Sequence, residues 1–380
     1  MSTLFLEPLD VLFLRGNKLF GDPGSMGEAQ MPPPNPSVVA GALRSRILAD
    51  EGVDLAAFAR NEIEHPALGK RDNPGSFTLT AFYLAQRKNN VIQPLFAPPA
   101  DLVLSEGNGF PVATPLKPAT LAQGISTSFA FRHLPVLAQK KRTKQVSGYW
   151  LTESGWRSVL QGELPAAPEH WVKIADLWSV EDRVGIGMEA ATRSAKEGQL
   201  FTTQAIAFKP GVGFVAQVTG CDAVPETGSV RLGGDGRAAA LTPANIALPE
   251  PDYAILAASK RLRLILTTPG LFRQGWLPTG VADGEIPLEG VTFDLHGVRG
   301  KLIAAAVPRA ETVSGWDLAR WQPKAAERAA PVGSVYWLDH VEADEAALRK
   351  LAENGLWPEP CDNPQRRAEG FNRCTLAVWK

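Results

Sequence analysis

Val230-Arg231-Leu232-Gly233-Gly234-Asp235-Gly236-Arg237 places three glycines within four positions, with an arginine at either end. Val230 and Leu232 read as a strand entering, and Ala238 to Leu241 as an ordered segment leaving. Glycines here let the backbone reach positive φ and lie against a ligand with no Cβ in the way. The guanidinium groups of Arg231 and Arg237 suit phosphate oxygens. Gly-Gly-Asp also occurs on the turns of metal-dependent catalytic palms, and the two readings separate an enzyme from a binding protein. Two-metal chemistry needs several carboxylates within reach of both ions. Here Asp235 is followed by Gly236 and Arg237, so a lone carboxylate beside a guanidinium points to an ion pair or a capped turn. The stretch reads as a cradle for a phosphate backbone, formed by Gly233, Gly234 and Gly236 between Arg231 and Arg237.

The rest of the chain sets the frame for that loop. At 380 residues, two domains are the default expectation. The 39 basic and 40 acidic residues nearly cancel, so any nucleic-acid surface must be a local patch. Glycine (35) and proline (31) are too frequent for a helical bundle and suit an α+β protein rich in loops. Cys221, Cys361 and Cys374 form no Cys-x-x-Cys pair, which argues against a zinc site and suits a reducing cytoplasm. The N-terminus reads as no signal peptide, and no apolar run reaches membrane-spanning length, so a cytoplasmic protein with no membrane partner is expected.

Thr3 to Leu14 reads as an opening strand, and Arg15 to Pro34 as a long loop. Val39, Leu43 and Ile47 fall at i, i+4 and i+8, one face of a helix that starts near Pro36. Asn35 or Ser37 can cap it, and Gly41 reads as a point of close packing against a strand. Strands are expected at Phe77 to Leu84, Leu102 to Leu104, Val184 to Met188, Leu200 to Phe208 and Gly213 to Val218. The region from about 107 to 178 reads as an irregular insertion. Further on, Arg261 to Thr267 alternates in the manner of a half-buried strand. Strands are also expected at Gly297 to Val307, Val332 to Leu338 and Leu376 to Trp379. A helix is expected over Ala343 to Asn354, ended by Gly355. Two α+β units, residues 1–220 and 221–380, account for this order.

Catalytic motifs are scarce. His65, His133, His170, His296 and His340 show no His-Glu-x-x-His spacing, and neither Gly-x-Ser-x-Gly nor a P-loop is present. No metal or cofactor is implied. Cations do concentrate in Lys140-Lys141-Arg142-Thr143-Lys144. Arg15, Lys18, Arg44, Arg46, Arg193 and Lys196 fall near expected loops or strand ends and can converge on one face. The connector Glu189 to Gly198, which carries Arg193 and Lys196, suits an extended hairpin. Single-stranded RNA is held by backbone contacts together with stacking. Phe13, Phe20, Phe129, Phe131 and Tyr149 are stacking candidates, although each is more often a core residue. Trp150, Trp156 and Trp276 are candidates for protein anchors, with burial the commoner fate.

Leu6-Glu7-Pro8-Leu9-Asp10-Val11-Leu12-Phe13-Leu14-Arg15, followed by Pro32-Pro33-Pro34-Asn35-Pro36-Ser37-Val38-Val39-Ala40-Gly41-Ala42-Leu43-Arg44-Ser45, resembles the start of the third subunits of the Cmr complex. These are RAMP-superfamily proteins of type III-B CRISPR systems. The resemblance continues through Val184 to Gly187, Gly198 to Phe201, Gly233 to Arg237, Leu266 to Pro269, Gly315 to Asp317 and Gly333 to Tyr336. It departs at Asp235, where relatives carry Glu, and at Gly370-Phe371-Asn372, where they carry Gly-Phe-Gly. Asn tolerates left-handed geometry, so that turn can survive.

The resemblance implies two ferredoxin-like (RRM-type) domains with large loop insertions. It also implies a non-catalytic subunit that holds the 5′ handle of crRNA and contacts the large polymerase-like subunit and the first backbone RAMP subunit. The glycine loop would grip phosphates, the first helix would add Arg44 and Arg46, and the 189–198 hairpin would wedge between handle and guide. In this superfamily such a loop can equally be a structural turn against the first helix. The rival function is a metal-independent guide-processing endoribonuclease using His65 or His133.

Overall fold

The computed structural model describes residues 1–14, 26, 27, 30–122, 124, 131, 133–139, 142–282, 290–317 and 319–380. It is a mixed α/β protein dominated by strands, with few helices. The first sheet is built from β1 (Ser2–Pro8), β2 (Thr78–Lys88), β3 (Val91–Leu95), β6 (Val212–Thr219), β7 (Gly228–Arg231) and β8 (Ala238–Pro243). Between β3 and β6 the chain forms a long hairpin, β4 (Trp178–Met188) and β5 (Ala195–Phe208). The sheet order is β7–β8–β1–β6–β2–β3, antiparallel throughout. Alternation along β1 sends Leu4 and Leu6 into one core and Phe5 into another on the opposite face.

Helix α1 (Pro36–Asp50) closes the Leu4 and Leu6 face with Val39, Leu43 and Ile47, the stripe expected from their spacing. Pro36 favours the start, since its fixed φ suits the first turn and its missing N–H costs nothing there. Gly41 departs from expectation. It is exposed, and a Cβ placed on it would meet nothing within 4 Å, so it is no point of close packing. The opening strand also stops at Pro8, short of Leu14. Beyond it Leu12 and Phe13 make single bridges to Ile206 and Gly234.

The second sheet contains β9 (Arg261–Leu266), β10 (Val291–Leu295), β11 (Val298–Ala306), β12 (Val335–Glu342) and β13 (Cys374–Val378), in the order β10–β11–β12–β9–β13. All its pairings are antiparallel. The two sheets share a plan. Taking β1, β2, β6 and β8 in chain order, their spatial order is fourth, first, third, second, and β9, β11, β12 and β13 repeat it. The first sheet has its helix, α1, between the first and second of these strands. The second has α3 (Glu345–Asn354) between the third and fourth, ended by Gly355 at φ +71. Because β7 and β8 complete the first sheet, sheet membership changes between Pro243 and Arg261, not near residue 220.

The inserted region is not irregular throughout. It contains the hairpin 102–115 and α2 (Glu153–Leu160), capped by Thr152, whose hydroxyl accepts the Gly155 N–H. Leu102, Leu104, Trp156 and Leu160 form one core with Ile265, Val335 and Trp337 of the second sheet. Leu262, Leu264 and Tyr336 face the other way, toward α3. The strand expected to be half-buried is therefore covered on both faces, and Arg263 is buried against Asp101. Trp156 is buried, and Trp150 and Trp276 pack against cores; Trp321 is 74% exposed.

Candidate nucleic-acid interface

The stretch from Leu232 to Arg237 is the turn of the β7–β8 hairpin. The Leu232 N–H donates to the Arg237 carbonyl (2.8 Å) and the Arg237 N–H to the Gly234 carbonyl (3.3 Å). Gly233, Asp235 and Gly236 all sit at positive φ, +79, +58 and +67. Gly236 needs glycine for that angle alone, as a Cβ there would meet open space. Gly233 is also crowded, because a Cβ would lie 2.9 Å from the Phe13 carbonyl oxygen. The Gly234 N–H, expected to face phosphate, donates instead to Phe13 O at 2.8 Å. The turn thus packs on the Val11–Leu14 strap, not on α1. The N–H groups of Gly233, Asp235 and Gly236 find no partner among the described residues.

Around this turn the side chains form a cation–aromatic layer. Phe13 has the Arg237 guanidinium 5.2 Å from its ring centroid and that of Arg183 at 5.8 Å. Arg237 also pairs with Asp10, and lies 3.8 Å from Asp235. Arg183 pairs with Glu181 at 3.1 Å. Arg231, one strand residue before the turn, is exposed with no ion pair to a described residue. Arg183 is absent from the residues singled out in the sequence. It sits beside Val184-Gly185-Ile186-Gly187, and only the β4–β5 pairing places it beside Phe13.

The β4–β5 hairpin rises from this layer. Its strands are longer than expected, and the connector is the tight tip 189–194. Arg193 stands at that tip with φ +54, exposed, and Lys196 pairs with Glu189 at 3.4 Å. Two glycines make the hairpin thin. The Phe201 ring lies across Gly185 and Gln199 across Gly187, each within 2.3 Å of where a Cβ would be. On the opposite face Val184, Ile186 and Leu200 are exposed.

Other expected contacts lie elsewhere. Arg46 reaches from α1 to the Ser229 carbonyl and pairs with Asp50 at 2.6 Å, so it ties the helix to β7. Burial pulls the Arg44 guanidinium below its ordinary pKa, against the attraction of Glu369. Arg142 and Lys144 are exposed, and Lys144 lies 3.9 Å from Glu106, beside the 102–115 hairpin and away from the turn. Arg15, Lys18, Lys140, Lys141, Phe20 and Phe129 lie outside the described residues. Phe131 is core, and Tyr149 packs edge-on to Trp171.

The histidine proposed as a nuclease residue is occupied. His65 Nδ1 accepts the N–H groups of Ala67 and Leu68 (both 3.1 Å), which places its proton on Nε2, 2.9 Å from Glu51. His133 lies on the strand 133–136, half-buried. Among the described residues no three His, Cys, Asp or Glu side chains gather as for a metal ion, and no helix is long and apolar enough to cross a membrane.

Chains in two solved structures are similar to this one. One, a cryo-EM structure of the Type III-B Cmr-beta bound to cognate target RNA and AMPPnP, state 1, contains a chain 15% identical, with a TM-score of 0.49 over 88% of this chain and 86% of that one. A second, of the Type III-B Cmr-beta bound to cognate target RNA, gives 16% identity, a TM-score of 0.46 and the same coverage. No curated protein matches. The family described as CRISPR-associated protein (Cas_Cmr3) matches residues 4–379, from the first strand through the last. The chain belongs to the Cmr3 family of CRISPR-associated proteins.

Proposed function

We propose that this chain is a non-catalytic RNA-binding subunit of a type III-B CRISPR effector complex that anchors the 5′ handle of crRNA. In this reading each sheet is a ferredoxin-like domain, and the chain contacts the large polymerase-like subunit and a backbone RAMP subunit. The observation that carries the proposal is the Arg183–Phe13–Arg237 layer at the foot of the β4–β5 hairpin. Exposed Arg231 lies beside it and Arg193 stands at the hairpin tip. In this layer the ring fixes two guanidinium groups that keep Asp10 and Glu181 as partners, so the phosphate contacts fall to exposed Arg231 and Arg193, and the hairpin gives the strand an edge to turn around. The N–H groups of Gly233, Asp235 and Gly236 add neutral donors. Gly234 drops out of the expected set, and Arg46 acts in folding.

The test is binding of crRNA by the full chain over a salt series. Arg231→Ala and Arg193→Ala each weaken binding, and each lowers the log–log salt slope by about 0.7–0.9 if one phosphate contact is lost. Unchanged affinity and slope in both variants defeat the placement. Metal-independent cleavage of repeat RNA that disappears in His133→Ala would assign the guide-processing function instead.

A further inference from the structure

Between β11 and β12 the chain makes an excursion that takes no part in the proposed handle surface. Glu311–Val313 pairs with Glu327–Ala329, and beyond it Trp316–Asp317 pairs with Gln322–Pro323, so the excursion ends in a narrow tip at 317–322. Hydrogen bonds hold that tip. Asp317 Oδ1 accepts the N–H groups of Ala319 (3.0 Å) and Arg320 (3.1 Å). The Lys324 N–H donates to the Gly315 carbonyl (2.8 Å), and the Ser314 hydroxyl donates to the Lys324 carbonyl (2.9 Å).

Trp321 is what the tip presents. It is 74% exposed, so folding gains little from burying it. Its backbone stands at φ +53, where a bulky side chain is strained. Strain at an exposed aromatic marks a residue kept for contact with something outside the chain. The Trp316 ring meets it at 85°, with centroids 6.0 Å apart, and steadies its orientation. The surroundings choose between a protein and a nucleic acid. A protein anchor sits among other apolar contacts. Among the described residues of the excursion, no other large apolar side chain is exposed. Arg320 and Gln322 flank the ring, both exposed. The Arg320 guanidinium has no hydrogen bond or ion pair to a described residue. Beside the tip, Arg71 and then Asn61 hold the Asp72 carboxyl below its ordinary pKa, and Arg320 adds a weaker pull. Arg71 donates to both Asp72 oxygens (2.9 and 2.7 Å), which leaves the donors of Arg320 free.

We propose that the Trp321 tip is a second RNA contact, where one unpaired base stacks on the indole and Arg320 holds an adjacent phosphate. The proposal rests on the RNA-binding reading of the chain but uses none of the residues placed on the handle surface. An open indole takes the flat face of any base, so the contact is tolerant of sequence. A planar guanidinium suits phosphate oxygens. The contact excludes a duplex, whose bases are already stacked on one another.

The purified full chain is titrated over a salt series with a short single-stranded RNA of mixed sequence and with the same sequence as a duplex. Trp321→Ala is expected to weaken single-strand binding about tenfold, the scale of one stacked base, with the salt slope unchanged. Trp321→Phe keeps most of the affinity, because a smaller ring still stacks. Arg320→Ala weakens single-strand binding and lowers the log–log slope by about 0.7, one phosphate contact. Duplex binding is the same in Trp321→Ala and wild type. Arg231→Ala and Arg193→Ala report on the handle surface in the same assay. Losses in those two variants, with Trp321→Ala and Arg320→Ala equal to wild type, overturn this contact and leave the handle surface standing. The reverse pattern keeps this contact and removes the handle surface. Equal losses on single strand and duplex in Trp321→Ala also overturn the proposal, since a stacked base is then not what the ring holds.

Discussion

Asn372 stands at φ +59, a backbone angle that favours glycine, and its side chain adds contacts that glycine could not make. Its Oδ1 accepts the Leu271 N–H (2.6 Å), and its Nδ2 donates to the carbonyls of Leu271 and Leu356 (both 3.2 Å). Asn372→Gly keeps the backbone angle but leaves these buried groups unpaired, a loss of about 1–3 kcal/mol. Asn372→Ala adds left-handed strain of about 1–2 kcal/mol and is expected to be the less stable in urea denaturation. The tolerance of Asn for this turn was legible in the sequence. Its three partners were not, because they lie on loops 16 and 101 residues away. Glu369 gives a pH test at the same scale. Burial alone would raise its carboxyl pKa, but Lys324 (3.1 Å) and Arg366 (2.9 Å) outweigh that and hold it below the ordinary 4.5. A depressed folded pKa stabilises above the unfolded value and loses that contribution as pH falls through the folded one. Stability is therefore expected to decline as pH drops below about 4.5, and Glu369→Gln, weaker at neutral pH, to show a flatter decline.

At the scale of elements, the β4–β5 hairpin and α1 show what spacing reveals and what it hides. The apolar stripe Val39, Leu43 and Ile47 was legible because helix geometry puts i, i+4 and i+8 on one face. Which side of the helix Arg46 would serve was not, since its acceptor, the Ser229 carbonyl, is 183 residues away. Arg46→Ala is expected to cost about 1 kcal/mol of stability, the typical net value of one such hydrogen bond, and to leave the RNA salt slope unchanged. A slope lowered along with affinity would return Arg46 to the RNA surface. In the hairpin, Gly185 exists to admit the Phe201 ring across the strand. Gly185→Ala must push that ring aside, and the expected result is faster proteolysis at the hairpin with the global melting temperature nearly unchanged. The glycine loop at 233–236 was legible as a special turn, because positive φ demands it. Its support, the Phe13 carbonyl, belongs to a strap far back in the chain.

Across the whole molecule, the inserted region welds the two sheets together, and Arg263 is the side chain that records it. Alternation in Arg261 to Thr267 read as a half-buried strand because local sequence carries no sign that a distant insertion will cover the second face. Arg263 instead donates to Asp101 (2.6 Å), to the Val159 carbonyl on α2 (2.6 Å) and to the Val378 carbonyl on β13 (3.1 Å). Both partners of the ion pair are buried, so attraction between them offsets a large desolvation cost. Removing one partner leaves the other charge stranded. Asp101→Ala is thus expected to destabilise by about 3–5 kcal/mol, while Asp101→Leu with Arg263→Met lies close to wild type. Because Arg263 holds both Asp101, on the segment that leads into the insertion, and Val159 of α2 to the second sheet, equilibrium urea unfolding should remain one transition in wild type and separate into two in Asp101→Ala, as the insertion lets go first. Two probes in one titration decide it: Trp156 fluorescence for the insertion and far-ultraviolet circular dichroism for the sheets. Coincident midpoints in Asp101→Ala, with a loss below about 1 kcal/mol, would mean that apolar packing of Trp156, Trp337 and their neighbours alone holds the insertion in place.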